Sequence, residues 1–134
     1  MSSVGSIENL YRAYKDRANI YVIYIREAHP LGGKRRTPAE FQITDPKTLA
    51  ERQAVAEKFA LTVKLQVPIL VDTIDDQVEQ AYAGWPDRIY ILDADGRIAF
   101  KGQPGPVGFA PAAKSAPVVM DKLLSGAGQP RPSR

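Results

Sequence analysis

Short runs of β-branched and aromatic residues alternate with helical spacings along most of this chain, and this alternation restricts the fold more than any other feature. The strand-like runs lie at residues 20–25, 67–72, 88–92 and 97–101. Apolar residues at helical spacing predict helices at about 6–17, 47–61, 75–83 and 111–124. In the second of these, Thr48 is the expected N-cap with Glu51 three residues on, and Leu49, Val55 and Phe59 are expected on the buried face. Asp95 and Gly96 separate the last two runs and predict a tight hairpin. The order favours an α/β fold whose sheet has a parallel part and an antiparallel edge.

The composition is that of an ordinary globular protein, and it excludes several kinds of site. With 134 residues, 44% of them hydrophobic, we expect one domain over 1–124 and a disordered tail over 125–134. The chain has no cysteine and one histidine, so disulfides are excluded and no metal site is expected. The apolar runs are too short to cross a bilayer, and the first residues lack a signal-peptide pattern. These features predict a cytoplasmic protein without a membrane segment.

A basic run, Lys34-Arg35-Arg36, lies in a loop that extends over about residues 30–46. No aromatic residue interleaves with this run, so we interpret it as part of a solvated loop and expect no nucleic-acid partner. Two alternatives stay open. The run can line the rim of a site for an acidic substrate, or it can form an anion-binding surface in its own right.

The single histidine, His29, follows the first strand-like run directly, and Glu27 lies two residues before it. Side chains two residues apart share a face of an extended segment, and α/β folds place their ligands at such strand ends. An imidazole there can donate a proton, and a neighbouring carboxylate can fix its tautomer. The structural alternative is a histidine that only caps the end of the strand before Pro30.

Four collinear segments carry a resemblance to a known family. They are Tyr-Val-Ile-Tyr-Ile-Arg-Glu-Ala-His-Pro at 21–30, Val-Asp-Thr-Ile-Asp-Asp at 71–76, Ala-Tyr-Ala-Gly-Trp-Pro-Asp-Arg-Ile-Tyr-Ile at 81–91, and Lys-Gly-Gln-Pro-Gly-Pro-Val-Gly-Phe at 101–109. Together these segments resemble the iodothyronine deiodinases and their bacterial deiodinase-like relatives over most of residues 7–124.

The resemblance implies a thioredoxin-like fold, in which helices flank a mixed sheet. In that family a selenocysteine or cysteine nucleophile stands in a Thr-Sec/Cys-Pro-Pro-Phe motif, between a central strand and the first helix. This chain contains neither the motif nor an earlier strand, so we expect a sequence truncated shortly after the nucleophile. An in-frame UGA codon for selenocysteine would explain a start at Met1.

The resemblance also implies roles for three residues of this chain, and a fourth, Tyr24, is a candidate because it lies just before the Glu-Ala-His segment. Glu27 and His29 are expected to act in catalysis, with His29 supplying a proton and Glu27 orienting it. Arg88 matches an arginine expected to hold a substrate carboxylate, and a surface ion pair with Asp87 or Asp93 is its structural alternative. Tyr24 is a candidate to present its hydroxyl to the substrate, and its alternative is a core tyrosine paired to backbone.

The intact protein is therefore expected to be a selenol- or thiol-dependent oxidoreductase, with a thiol reductant as electron donor and no further cofactor. Its reaction would be reductive dehalogenation of an aromatic, anionic small molecule, or reduction of a peroxide or disulfide. The chain departs from related enzymes at 43–46, Ile-Thr-Asp-Pro, where a second histidine is often found. A strand edge without a partner can pair with a second copy of the chain, which would give a homodimer. A non-catalytic thioredoxin-like binding module is the alternative function.

Overall fold

Helices and strands follow one another in the order that the sequence predicts, in a computed structural model that describes residues 2–30, 39 and 42–126. The elements are α1 (Ser3–Tyr14), β1 (Val22–Tyr24), α2 (Leu49–Thr62), β2 (Ile69–Val71), α3 (Gln77–Tyr82), β3 (Tyr90–Leu92), β4 (Ile98–Lys101) and α4 (Phe109–Gly126). Helix α4 includes the first two residues of the expected tail, and 127–134 lie outside the described residues. The basic run at 34–36 lies outside them as well. The chain divides into two units, Met1–Asp87 and Arg88–Arg134.

The first unit contains a parallel pair of strands, as the sequence predicts. Strand β1 pairs with β2 so that Ile23 lies opposite Leu70. The N–H of Val22 donates to the carbonyl of Pro68 at 3.0 Å, and the N–H of Asp72 donates to the carbonyl of Tyr24 at 2.9 Å. Parallel strands need a crossover connection, and α2 lies in the segment that joins these two strands.

The second unit contains the predicted hairpin. Strands β3 and β4 are antiparallel, with Ile91 opposite Phe100. The Asp93 carboxylate accepts hydrogen bonds from the backbone N–H groups of Asp95 and Arg97, at 2.9 and 3.0 Å. Gly96 has a φ of 79°, which a residue without a Cβ adopts at little cost. The Asp-Gly turn therefore forms for the reason that its sequence suggests.

A single mixed sheet, which the resemblance implies, is not what the described residues form. They form two sheets of two strands each, one parallel and one antiparallel. Within 2–30, 39 and 42–126, β1 pairs only with β2 and β3 pairs only with β4. The α/β class is confirmed, whereas the thioredoxin-like topology and its single domain remain predictions.

Helix α2 begins where the sequence predicts, but its buried face differs from the prediction. Thr48 is the N-cap, and its hydroxyl accepts a hydrogen bond from the N–H of Glu51 at 3.2 Å. The Glu51 carboxylate reaches back to the N–H of Lys47, one residue before the cap. We expected Leu49 on the buried face, yet it is exposed, and Arg52 and Ala56 are the buried residues. These two residues are four apart and share one side of the helix.

Each unit has its own small core. In the first unit, Tyr14 of α1, Ala56 of α2 and Val67 before β2 are buried. Glu8 of α1 fixes the chain that enters β2, because its carboxylate accepts from the N–H groups of residues 66 and 67 at 2.7 and 3.2 Å. In the second unit, α4 packs on the hairpin through small and aromatic residues, namely Phe109, Ala112 and Ala116. No helix in the described part of the chain is both long and apolar enough to cross a membrane.

Candidate functional site

Tyr24 and Glu27 form the central contact of the candidate site, at the C-terminal end of β1. The Tyr24 hydroxyl donates a hydrogen bond to the Glu27 carboxylate at 2.6 Å. The Tyr24 ring packs near Phe59 of α2, with ring centroids 6.0 Å apart. The tyrosine is thus held by α2 on one side and holds Glu27 on the other. Its hydroxyl bonds a carboxylate, whereas the structural alternative from sequence was a bond to backbone.

Burial raises the pKa of the Tyr24 hydroxyl well above its ordinary value. The hydrogen bond to Glu27 and the negative charge of that carboxylate raise it further, because both disfavour a phenolate. The positive charge of Arg52 acts in the opposite direction and is the smallest contribution. Tyr24 therefore keeps its proton across the neutral range and remains a hydrogen-bond donor to Glu27.

His29 is exposed and follows Glu27 by two residues, but the described structure does not join the two side chains. Among the described residues, the Glu27 carboxylate bonds Tyr24, and no hydrogen bond from His29 is found. The expectation of a shared face assumed an extended backbone. Bends at positions 26, 28 and 29 break that geometry, so the rule for alternate side chains does not apply. The orienting role of Glu27 toward His29 stays a prediction.

Arg88 belongs to the second unit, where its side chain contacts Gly102 and Tyr90. Its Nε donates to the carbonyl of Gly102 at 2.7 Å, and its guanidinium lies 5.7 Å from the centroid of the Tyr90 ring. Gly102 itself is close to α4, since a Cβ at this position would lie 2.7 Å from the Cβ of Ala112. These contacts orient the guanidinium. A role in holding a carboxylate remains a prediction.

Arg52 and Asp72 form a buried polar network that the sequence analysis missed. Arg52 is 3% exposed and Asp72 is 1% exposed. The Arg52 guanidinium donates to the carbonyl of Thr73 at 2.6 Å and to the carboxylate of Asp76 at 2.8 Å. Its Nε is buried without a partner among the described residues. The network ties α2 to the loop that follows β2.

Asp72 caps helix α3 from a position several residues before it. Its carboxylate accepts hydrogen bonds from the N–H groups of Thr73, Val78 and Glu79 at 2.8, 2.9 and 2.9 Å. These groups include donors of the first helical turn that have no intrahelical partner. The signal in the sequence was an aspartate directly after a strand and shortly before a helix. We noted that segment only for its resemblance, not for this capping.

Arg26, Glu79 and Trp85 form a second cluster near the end of β1. The Arg26 guanidinium lies 4.9 Å from the centroid of the Trp85 ring, and its Nε lies 3.3 Å from a carboxylate oxygen of Glu79. The Trp85–Pro86 peptide bond is cis. No group of three or more His, Asp or Glu side chains suited to a metal ion occurs in the described ranges.

Comparison with known proteins places this α/β chain in a redox family. The sequence model of the iodothyronine deiodinase family matches residues 1–120. Thyroxine 5-deiodinase of Sparus aurata is 30% identical over 112 residues, which cover 81% of this chain and 40% of that protein. Type I iodothyronine deiodinase of Xenopus laevis is 30% identical over 108 residues, covering 81% of this chain and 42% of that protein. Thyroxine 5-deiodinase of Gallus gallus is 28% identical over 109 residues, again with 81% and 42% coverage.

The chain therefore belongs to the iodothyronine deiodinase family, which confirms the resemblance inferred from its four segments. It spans about two fifths of the length of the curated relatives that it matches.

Proposed function

We propose that this chain is part of a selenol- or thiol-dependent oxidoreductase that removes halogen reductively from an aromatic small molecule. The observation that carries the proposal is the family match over residues 1–120. The geometry at the end of β1 supports it, because Tyr24 fixes a carboxylate two residues before an exposed imidazole. Reduction of a peroxide or a disulfide by the same nucleophile is the other reaction that this proposal includes, and a non-catalytic thioredoxin-like binding module is the alternative function.

The nucleophile is expected from a further strand, and β1 has an edge that suits one. Val22 and Tyr24 make the bonds to β2, so the N–H and C=O of Ile23 point away from β2. No strand in the described part of the chain pairs with that edge. On one face of this sheet the opposed side chains of Ile23 and Leu70 are 42% and 48% exposed. An added strand would pair this edge, and the structure around it would cover the apolar pair.

The proposed chemistry balances with a thiol reductant. The selenolate or thiolate nucleophile attacks the halogen and forms a bond to it, while the carbon–halogen bond breaks, its electron pair stays on the ring carbon, and that carbon takes up a proton. The thiol reductant then displaces the halogen from the nucleophile as a halide ion. Two thiols are oxidised to one disulfide, and one halide ion and one proton are released. His29 is the proposed proton donor or relay, because it is the one histidine of the chain and is exposed. Glu27 and Arg88 are proposed to position His29 and an anionic group of the substrate, respectively. A cytoplasmic location and a homodimer belong to the same proposal.

The test uses the protein expressed with its upstream coding sequence and, where a TGA codon is found, with selenocysteine incorporation. Thiol-dependent release of halide from an iodinated phenol is measured. We expect His29→Gln to lower kcat/KM by about 10²- to 10⁴-fold, the range for positioned acid–base groups, and Glu27→Gln to lower it less, because Glu27 acts through His29. Gln80→Glu, an exposed change on α3, is the control and should leave the rate unchanged. Halide release that is absent with every thiol tested would favour the binding module.

A further inference from the structure

The side chain of Arg26 is oriented from two directions. The Trp85 ring supports one face of its guanidinium at 4.9 Å, and the Glu79 carboxylate holds its Nε at 3.3 Å. Glu79 is itself fixed, since its side chain is 12% exposed and its N–H donates to Asp72. A free arginine loses considerable side-chain entropy when it binds a ligand, and this one has lost part of it already.

The outer edge of this guanidinium is available for a ligand. Within the described ranges, its two terminal nitrogens have no hydrogen-bond partner, and the side chain is 46% exposed. Two parallel N–H groups on one planar edge match the two oxygens of a carboxylate. The Glu79 carboxylate lies next to the Arg26 guanidinium and repels any anion that binds there, so a ligand with one negative charge is repelled less than a dianion.

Trp85 provides an aromatic surface next to that edge. It is 40% exposed although its ring contacts Arg26, so part of the indole faces solvent. An apolar or aromatic group attached to the carboxylate can cover this exposed part. We infer that Arg26 and Trp85 form a binding site for an aromatic carboxylate, with the carboxylate on Arg26 and the ring on Trp85. This inference rests on the proposed function and deepens it, because it offers Arg26, together with Trp85, in place of Arg88 as the residue that holds a substrate carboxylate.

The test measures binding to the 134-residue chain by NMR, using the indole N–H of its single tryptophan. The probe is 3-phenylpropionate, and a ligand of this size is expected to bind in the millimolar range. Neutral 3-phenylpropionamide lacks the charge, and acetate lacks the ring. We expect a saturable shift with the probe, and at least about tenfold weaker binding of both other compounds.

Matched arginine variants separate the site from general charge. Arg26→Gln should weaken binding by at least about tenfold, and Arg26→Lys should weaken it less, because the charge remains without the planar edge. Arg17→Gln is the control, since Arg17 lies 5.8 Å from the Tyr14 ring centroid and its loss changes the net charge equally. Circular dichroism checks that each variant is folded.

Three results would overturn the inference. They are equal binding of the amide and the carboxylate, an equal loss in the Arg26 and Arg17 variants, and no saturable shift up to the solubility of the probe. Because this binding needs no nucleophile, its failure would leave the halide-release test unaffected. Failure of halide release together with normal binding would instead leave the carboxylate site in place and remove the redox function.

Discussion

Replacement of Tyr24 by phenylalanine tests the contact on which the candidate site is built. The change removes one hydroxyl and keeps the ring that packs near Phe59 at 6.0 Å. It deletes a 2.6 Å hydrogen bond to a carboxylate in a partly buried setting. Hydrogen bonds to charged groups contribute about 1.5–3 kcal/mol, and partial exposure favours the lower end, so we expect a loss of about 1.5 kcal/mol.

The measurement is urea unfolding followed by far-UV circular dichroism. Tyr21→Phe is the matched control, because Tyr21 lies three residues earlier, is 53% exposed, and has no hydrogen bond among the described residues. We expect its effect to stay within about 0.5 kcal/mol. In thermal unfolding, the Tyr24 variant should melt about 3–8 °C lower for a domain of this size. Equal stability of the two variants would refute the argument that Tyr24 anchors Glu27.

Three further changes test other parts of the account. Asp72→Ala leaves three backbone N–H groups without their acceptor, so we expect a loss of about 3–5 kcal/mol in urea unfolding, and a loss under 1 kcal/mol would contradict the cap. Because the pKa of Tyr24 is raised in the folded protein, this tyrosine loses its proton at a lower pH in the unfolded chain than in the folded one. The free energy of unfolding should therefore fall as the pH rises above about 10, and Tyr24→Phe should make this fall less steep. Gly108→Ala places a Cβ 2.5 Å from the backbone of Gln103 and should lower the free energy of unfolding by about 1–3 kcal/mol. Gly126→Ala is the control, because its Cβ meets nothing within 4 Å and should not destabilise the protein. Thermal unfolding of both variants checks this difference.

The local elements of the fold were predictable because their signals are local. The Asp-Gly turn, the Thr48 cap and the alternation of strands with helices each depend on a few neighbouring residues. The pairing of β1 with β2 followed from their position around a helix. Element ends differ from the predictions by a few residues, as fraying ends do.

The candidate site was predicted only in part, because the sequence identifies several of its residues but not the contacts that they make. Glu27 and His29 were identified together, yet the backbone bends between them and Glu27 turns to Tyr24. Arg52 was missed because an arginine on a helix is normally solvated, and only its partners at the end of β2 make burial tolerable. Those partners lie over 20 positions away in the chain, and a helical pattern, which relates residues three or four apart, cannot reveal them.

The most direct measurement is the sequence of the genomic DNA immediately upstream of the codon for Met1, translated in frame through any TGA. We predict an apolar strand that ends in Thr-Sec-Pro-Pro-Phe or Thr-Cys-Pro-Pro-Phe. That result would supply the nucleophile and a strand for the open edge of β1. An unrelated sequence, or a stop codon other than TGA in that position, would contradict the proposal that this chain is part of an oxidoreductase.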